Sequence, residues 1–371
     1  MKKTRKLRIV HTESSCGWGG QEIRILEEAR GMQARGHRVV VLCPEESKLY
    51  KRAKHWGVEA VALPIANKRL RALLALRKWL KHSKHASVIN THSSTDSWLT
   101  AIALRTFANK IPVVRTRHIS APVAVTAANR WLYGHAAQYV VTTGEQLRRE
   151  LIETLGLSED AICSIPTGID TQRYVPGDAQ GARDALGIDK EAYWVGIVAT
   201  LRSWKGHSYL MEAIQALTDR KIKLLVVGEG PQLEALQQKV EALGIEARVH
   251  FAGNQQNVVP WLQAMDVFVL PSYANEGVSQ AVMQAMCVGL PIITTAVGSM
   301  TDVIRDRDTG LLVATKDSVQ IAEAIRLLEK DRAFAAALGK RAHAFAQEHC
   351  GLDRMLDRME EIFQRCAKKS T

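Results

Sequence analysis

The chain has 371 residues with 50 Lys+Arg against 38 Asp+Glu, and it is 46% hydrophobic and 24% charged. That is ordinary globular composition at a length suited to two domains of about 150–200 residues each. It contains no uncharged apolar run of about 20 residues, which excludes a membrane-spanning helix, and the six scattered cysteines form no C-x-x-C pair, which argues against a disulfide framework or a zinc site.

Met1-Lys2-Lys3-Thr4-Arg5-Lys6-Leu7-Arg8 leads into an apolar run that His11 and Glu13 interrupt too soon for a signal peptide, so a cytoplasmic protein with reduced thiols is expected. The positive charge is uneven. Residues 1–150 hold 27 Lys+Arg and 10 Asp+Glu, and the remainder holds 23 and 28. A basic first half predicts an anionic partner there: membrane phospholipid, a lipid-linked pyrophosphate or nucleic acid.

In chain order, a strand at 7–11 runs into a glycine-rich turn (Gly17, Gly19, Gly20), followed by a helix that ends at Gly36. Strands follow at 38–43, 58–63, 88–90, 112–115 and 138–142, with helices at about 70–83, 96–107, 123–134 and 145–155. A Pro/Gly/Asp-rich break from Ile165 to Asp178 marks the domain boundary. The second series has strands at 193–199, 222–227, 249–251, 267–270, 291–294 and 311–313. Its helices fall at about 207–218, 231–243, 258–264, 278–288, 318–328 and 331–348, and an amphipathic tail helix spans 352–368. Strands alternating with helices predict an α/β protein with two Rossmann-like, doubly wound parallel-sheet domains facing each other across a crevice. The expected divisions are 1–172, 173–351 and a C-terminal helix in 352–371 that packs back on the first domain.

The stretch from Asn275 to Met286 follows an apolar strand and places a carboxylate, Glu276, in a loop beside a helix expected to open near Val278. The helix's first N–H groups and positive dipole end would lie next to that acid. One acceptor and several donors suit a polyhydroxyl ligand carrying phosphate, such as an activated sugar; the alternative is a solvated acid stabilising the dipole. Arg202 and Lys205, in Thr200-Leu201-Arg202-Ser203-Trp204-Lys205-Gly206, are two cations in a loop at a strand's carboxyl end. They can grip both phosphates of a diphosphate, or form an exposed basic turn. Gly228, in Gly228-Glu229-Gly230-Pro231, reads equally well as a tight turn or a ligand contact.

In the first half, Gly19 and Gly20 let the backbone approach phosphate or sugar closely. The spacing is not the dinucleotide G-x-G-x-x-G. His118 ends a strand in Val113-Val114-Arg115-Thr116-Arg117-His118, a position that faces the crevice of a doubly wound fold, although on these residues alone a hydrogen-bonded surface histidine is the favoured reading. Six cations (Lys68, Arg69, Arg71, Arg77, Lys78, Lys81) share a helical stretch with leucines. This suits either a sheet-covering helix with a solvated basic face or one that also rests on anionic lipid.

The Glu276 stretch resembles the E-x7-E loop of the retaining family 4 sugar-nucleotide glycosyltransferases of the GT-B fold, of the cell-surface polysaccharide and lipopolysaccharide type, with Gln284 at the second acidic position. Leu201, Lys205 and Gly206 match the family's G-R-L-x-x-x-K-G, whereas Ala199 and Thr200 stand where Gly and Arg are usual. The resemblance covers almost the entire chain and is strongest over 193–313.

It implies transfer of a sugar from a UDP- or GDP-sugar with retention of configuration, and no required metal or other cofactor. The single D-x-D, Asp306-Arg307-Asp308, falls in a turn and is discounted as a metal site. Glu276 would bind sugar hydroxyls, and the backbone at Gly277, Val278, Gln280 and Ala281 would meet the sugar or diphosphate. Gln284 would meet the ribose, and Gly228 and Gln255 would lie beside the nucleotide. Arg202 and Lys205 would stabilise the leaving diphosphate, and His118 would touch the transferred sugar. Gly19 and Gly20 would also face the sugar, and His92 and Asp96 would stand on the acceptor side.

The expected activity is transfer to a lipid-linked or lipopolysaccharide glycan acceptor by a protein peripheral on the inner face of the cytoplasmic membrane. Two rivals are another enzyme on this fold, a sugar phosphorylase or sugar-nucleotide epimerase, and a non-catalytic anion- or nucleic-acid-binding protein. The first half lacks the aromatic stacking surface or motif that nucleic acid would call for.

Overall fold

A computed structural model describes residues 5–82, 86–107, 111–119, 121–274 and 276–368. Met1-Lys2-Lys3-Thr4, Asn275 of the Glu276 stretch, residue 83 of the expected helix 70–83 and residues 369–371 of the tail lie outside the described residues. The chain forms two compact units, one of residues 1–168 with 353–371 and one of residues 169–352.

The first unit is built on seven parallel strands: β1 (Arg8–Thr12), β2 (Arg38–Cys43), β3 (Glu59–Ala62), β4 (Val88–Thr91), β5 (Val113–Arg117), β6 (Tyr139–Thr142) and β7 (Ile162–Ser164). They stand in the order β3-β2-β1-β4-β5-β6-β7. A parallel sheet covered on both faces needs apolar residues in succession rather than in alternation. β4 is accordingly buried throughout and β2 from Val39 to Cys43.

Val10 lies opposite Val40 and Ile89 in register. These three pack with Leu76 and Leu80 of helix Leu70–His82 and with Leu99 and Ala103 of helix Ser94–Arg105. Successive strand side chains point to opposite faces. His11 and Asn90, next in sequence to Val10 and Ile89, therefore point the other way, toward helices Gly20–Ala34 and Leu352–Lys368. Asn90 reaches Glu28 of the first helix, and Phe363 of the second meets the His11 ring edge-on at 6.4 Å between centroids. Helix Leu352–Lys368 buries Met355, Leu356, Met359, Ile362, Phe363 and Cys366, the stripe that period 3.6 makes continuous.

The second unit carries β8 (Tyr193–Val198), β9 (Ile222–Val227), β10 (Val249–Gly253), β11 (Val267–Leu270), β12 (Ile292–Thr295) and β13 (Leu311–Val313). All are parallel, in the order β10-β9-β8-β11-β12-β13. Val195, Val226, Phe268 and Ile293 lie in one core with Leu210, Met283, Ile325 and Leu338 from four covering helices. Arg183 is buried and donates to the Ala264 carbonyl and the Asp266 carboxylate, at 2.9 and 2.7 Å.

Some elements differ from the sequence reading. β7 has three residues, too few for a periodicity signal. Helix Ala179–Leu186 follows directly on the Pro/Gly/Asp-rich break, whose last residue, Asp178, accepts from the N–H groups of Gln180 and Gly181, and Gly187 closes the end in the left-handed region. The helix expected from 123 begins at Ala127, because Thr126 caps it through the Asn129 N–H, and it continues as a π turn over Leu132–Ala136. Among the described residues no helix is long and apolar enough to cross a membrane.

Phe363 is fully buried. Phe363→Ala should therefore destabilise the first unit by about 3–5 kcal/mol through lost burial and a residual cavity. Denaturant unfolding of the full chain will read this as an earlier transition.

Candidate functional site

In the second sheet β8 has β9 on one side and β11 on the other, so the loops after β8 and β11 leave from a topological switch point, where doubly wound sheets bind ligands. The loop after β8 is anchored by buried Leu201. Its N–H donates to the Glu229 carbonyl at 2.9 Å, and its own carbonyl accepts from the Gln232 N–H at 3.2 Å. A single 3-10 turn, Ser203–Lys205, then aims Lys205 at the loop after β11.

There Lys205 Nζ donates to Glu276 Oε1 at 2.5 Å, and Ser272 Oγ donates to the same oxygen at 2.6 Å. Glu276 is 4% exposed, yet its Oε2 has no hydrogen-bond donor among the described residues. The carboxylate is thus clamped through one oxygen and keeps the other open. Arg202 is exposed, with its guanidinium 5.5 Å from the centre of the Trp204 ring.

Two glycines hold these loops together. Gly298, at φ 63°, lies so close to the Glu276 backbone that a Cβ would stand 1.9 Å from the Glu276 carbonyl oxygen. Gly228, at φ 144°, would bring a Cβ to 2.0 Å from the Ala199 carbonyl oxygen, and its N–H donates to the Gly253 carbonyl at 2.8 Å. Gly228 therefore knits the loops after β8, β9 and β10 to one another. Gln255 turns its amide back to the Ala252 carbonyl, at 2.6 Å.

Helix Gln280–Val288 opens two residues later than Val278, because Ser279 is still extended, and Ser279 provides no side-chain cap. Gly277 and Val278 stay in the loop, with Val278 turned into the core. Ala281 lies in the first helical turn, and half-buried Gln284 stands one turn beyond Gln280 on the same side. Asp306 and Asp308 are engaged in their own turn, by the Leu312 N–H at 2.9 Å and by Arg341 at 3.1 Å.

The first sheet has its own switch point, with β1 between β2 and β4. Gly19 is the extended N-cap of helix Gly20–Ala34. Asp96 is fully buried, and four protein donors take its oxygens: the Thr12 hydroxyl (2.7 Å), the Ser14 hydroxyl (3.3 Å) and the N–H groups of His92 (3.0 Å) and Ser93 (2.9 Å). It closes a capping box with Ser93 and offers no free oxygen to an acceptor. Asp96 thereby ties β1 to the start of helix Ser94–Arg105. His92 is also buried, and its two ring nitrogens face His11 and His118, each at 2.9 Å. His118, just past β5, is half-buried.

Sequence reasoning passed over Glu13 and His11. Both are fully buried at the carboxyl end of β1. Glu13 accepts from the Ser15 N–H (2.7 Å), the Ser93 hydroxyl (2.5 Å) and the Gln21 amide. Burial first, then the neighbouring Asp96 charge, push Glu13 up to about 8, and burial pushes Asp96 up to about 6. The available signal was a polar pair, His11 and Glu13, interrupting an apolar strand.

A family model described as glycosyl transferases group 1 matches residues 178–345, and one described as glycosyltransferase family 4 matches residues 18–173. The chain is 30% identical over 263 residues to a D-inositol 3-phosphate glycosyltransferase of Nocardia farcinica, which covers 64% of this chain and 58% of that protein. It is 31% identical over 180 residues to the lipopolysaccharide core biosynthesis mannosyltransferase LpsB of Rhizobium meliloti, which covers 46% of this chain and 51% of that protein. The chain spans about three fifths of the length of the first curated relatives it matches. The crystal structure of Anabaena HepE in complex with UDP and glucose superposes with a TM-score of 0.85 at 19% identity, covering 97% of this chain and all of that one. The fold is GT-B, with two parallel-sheet α/β domains.

Glu13 is raised in the folded state, so its contribution to stability is complete below 4.5 and is lost as pH rises through about 8. Thermal unfolding across that range should show melting temperature falling with pH, with a shallower fall in Glu13→Gln. An identical slope in the two proteins would disprove the assignment.

Proposed function

The chain belongs to the family 4 glycosyltransferases, and we propose that it moves a sugar, with retention of configuration, from a nucleoside diphosphate donor to a glycan or lipid-linked acceptor. The observation that carries this reading is the clamp in the second unit. Lys205 and Ser272 hold Glu276 through one oxygen, beside an uncapped helix start and at a sheet switch point. A diphosphate arriving at the loop after β8 competes for the Lys205 ammonium, with Arg202 as a second cation. Glu276 then turns its carboxylate to sugar hydroxyls, and Gln280 and Gln284 supply amides in place of a second acid.

In the transfer step the bond from the anomeric carbon to the diphosphate oxygen breaks while the acceptor oxygen bonds to that carbon on the same face. The acceptor's proton passes to the departing diphosphate. Lys205 and Arg202 stabilise the charge that develops there. A UDP-sugar is the first donor to test, in keeping with the UDP and glucose bound by the Anabaena protein. A divalent cation is not required in this reading, because the two side-chain cations occupy its role.

Helix Leu70–His82 supports the reading of an acceptor at an anionic membrane surface. Its Ala72, Leu76 and Leu80 pack inward, whereas Leu70 and Leu74 are 70% and 53% exposed among Lys68, Arg69 and Arg71. Apolar anchors framed by cations suit the interface of an anionic bilayer.

A panel of sugar nucleotides should show one donor that raises the melting temperature by mass action. With that donor, Lys205→Ala and Arg202→Ala should each lower kcat roughly 10²-fold or more. Unchanged turnover in both would end the proposal. Turnover that needs inorganic phosphate, or that runs without an acceptor, would select a phosphorylase or an epimerase instead. Vesicle co-sedimentation should show binding to anionic but not to neutral lipid, weakened in the double variant Leu70→Ser with Leu74→Ser; equal binding to both lipids would refute the membrane placement.

A further inference from the structure

Three imidazoles stand in series in the first unit. His11 Nδ1 meets His92 Nε2 at 2.9 Å, and His92 Nδ1 meets His118 Nε2 at 2.9 Å. Each contact needs one proton between its two nitrogens, since paired lone pairs or paired N–H groups at this distance repel. The rings are neutral. Burial, then Arg24, pushes His11 down to about 3. His92 and His118 lie well below the ordinary range, through burial first and then through neighbouring imidazoles and the guanidinium groups of Arg24 and Arg115, with Arg117 also facing His118.

With one proton per ring the chain has only two states. In one, every ring donates toward His118, whose Nδ1 then carries an N–H. In the other, every ring donates toward His11, so His118 Nδ1 is a bare lone pair and His11 Nε2 carries the proton.

What lies beyond His11 decides between them. Glu28 Oε1 stands 3.9 Å from His11 Nε2, beyond hydrogen-bond reach but within that of charge and dipole. The same oxygen accepts from Asn90 Nδ2 at 3.2 Å, while Asn90 Oδ1 accepts from the Thr116 hydroxyl at 2.8 Å. Asn90 is thereby oriented with its amide hydrogens toward Glu28, which makes Oε1 an acceptor. Arg24 Nε lies 3.8 Å from Oε2 and balances the charge. Glu28, His11 and Arg24 are fully buried, and His11 Nε2 has no hydrogen-bond partner among the described residues. Buried and facing a carboxylate, this nitrogen is more stable as N–H than as a second source of negative potential.

We propose that Glu28, His11 and His92 are positioning residues that set the tautomer of His118, so that His118 offers a bare Nδ1 and accepts a hydrogen bond from a ligand hydroxyl. His118 Nδ1 has no partner among the described residues. A carboxylate that never meets the ligand thus decides, through three rings, whether His118 accepts or donates. The identity of the ligand as a sugar rests on the function proposed above; the tautomer does not.

The test is two-bond proton–nitrogen correlation NMR on the full chain with nitrogen-15 histidine, at about pH 8, above the value near 7 to which burial pushes Glu28. All three rings should be protonated at Nε2 and bare at Nδ1. Glu28→Gln, which removes the charge, should move the three rings together toward the Nδ1-protonated form. Should that variant not fold, His92→Phe breaks the series and leaves Glu28 in place. In it His11 should keep its Nε2 proton while His118 becomes a mixture of tautomers. A wild-type His118 protonated at Nδ1, rings that shift independently in Glu28→Gln, or a single His118 tautomer in His92→Phe would each overturn the proposal. A chain that forms these tautomers but transfers no sugar would refute the assigned activity and leave the relay standing.

Discussion

A parallel sheet buried on both faces leaves few places where chemistry can reach water. Its strands are apolar along their length and its flanks are sealed by helices, so polar side chains collect at the strands' carboxyl ends. Where neighbouring connections depart to opposite faces, the loops part and a cleft opens without exposing the core. Both units obey this constraint. In one the parting lies between β8 and β11, where Lys205 and Glu276 meet; in the other it lies between β1 and β4, where Glu13, His92 and Asp96 gather.

The two clusters solve the electrostatic problem differently. The Glu276 carboxylate stands beside an ammonium and leaves an oxygen open. Burial raises both Glu13 and Asp96, the Asp96 charge adds to the rise of Glu13, and hydroxyl and backbone donors, with Arg115 on the Asp96 side, oppose it. The first arrangement leaves Lys205 able to exchange one anion for another, which is what the proposed diphosphate donor requires. The second is built to stay put: its donors come from the loop that starts one helix and from the cap of another, so it locks the glycine loop to β4.

Much of the architecture was legible because parallel strands write themselves as runs such as Arg38–Cys43 and Val267–Leu270, each closed by turn residues. What escaped was short or disguised. Ile162–Ser164 has no period to detect, and Ala179–Leu186 is a short helix standing directly after a stretch that signals a linker, although Asp178 and Gly187 are proper helix ends. The Lys205 and Glu276 loops were readable from their place after strands and from a motif, and the ion pair between them was not, because it depends on how two loops far apart in sequence fold toward each other. Glu28 was hardest of all. Nothing in a helix read in isolation shows a carboxylate closed from solvent against Asn90 of a neighbouring strand, with His11 and Arg24 beside it.

Helix Leu352–Lys368 has a consequence for how the molecule comes into being. The stripe formed by Met355, Met359 and Phe363 closes over β1 and the first helix, yet it is made after every residue of the second unit. During synthesis the second unit can therefore bury its core first, while the first holds an open apolar face until residues beyond 352 arrive. Arg24, with its guanidinium donating to the Ile165 carbonyl and touching Met359, then loses its water in the final stage. The half of the protein made first is the half that finishes last, and its apolar face stays open to wrong contacts the longest.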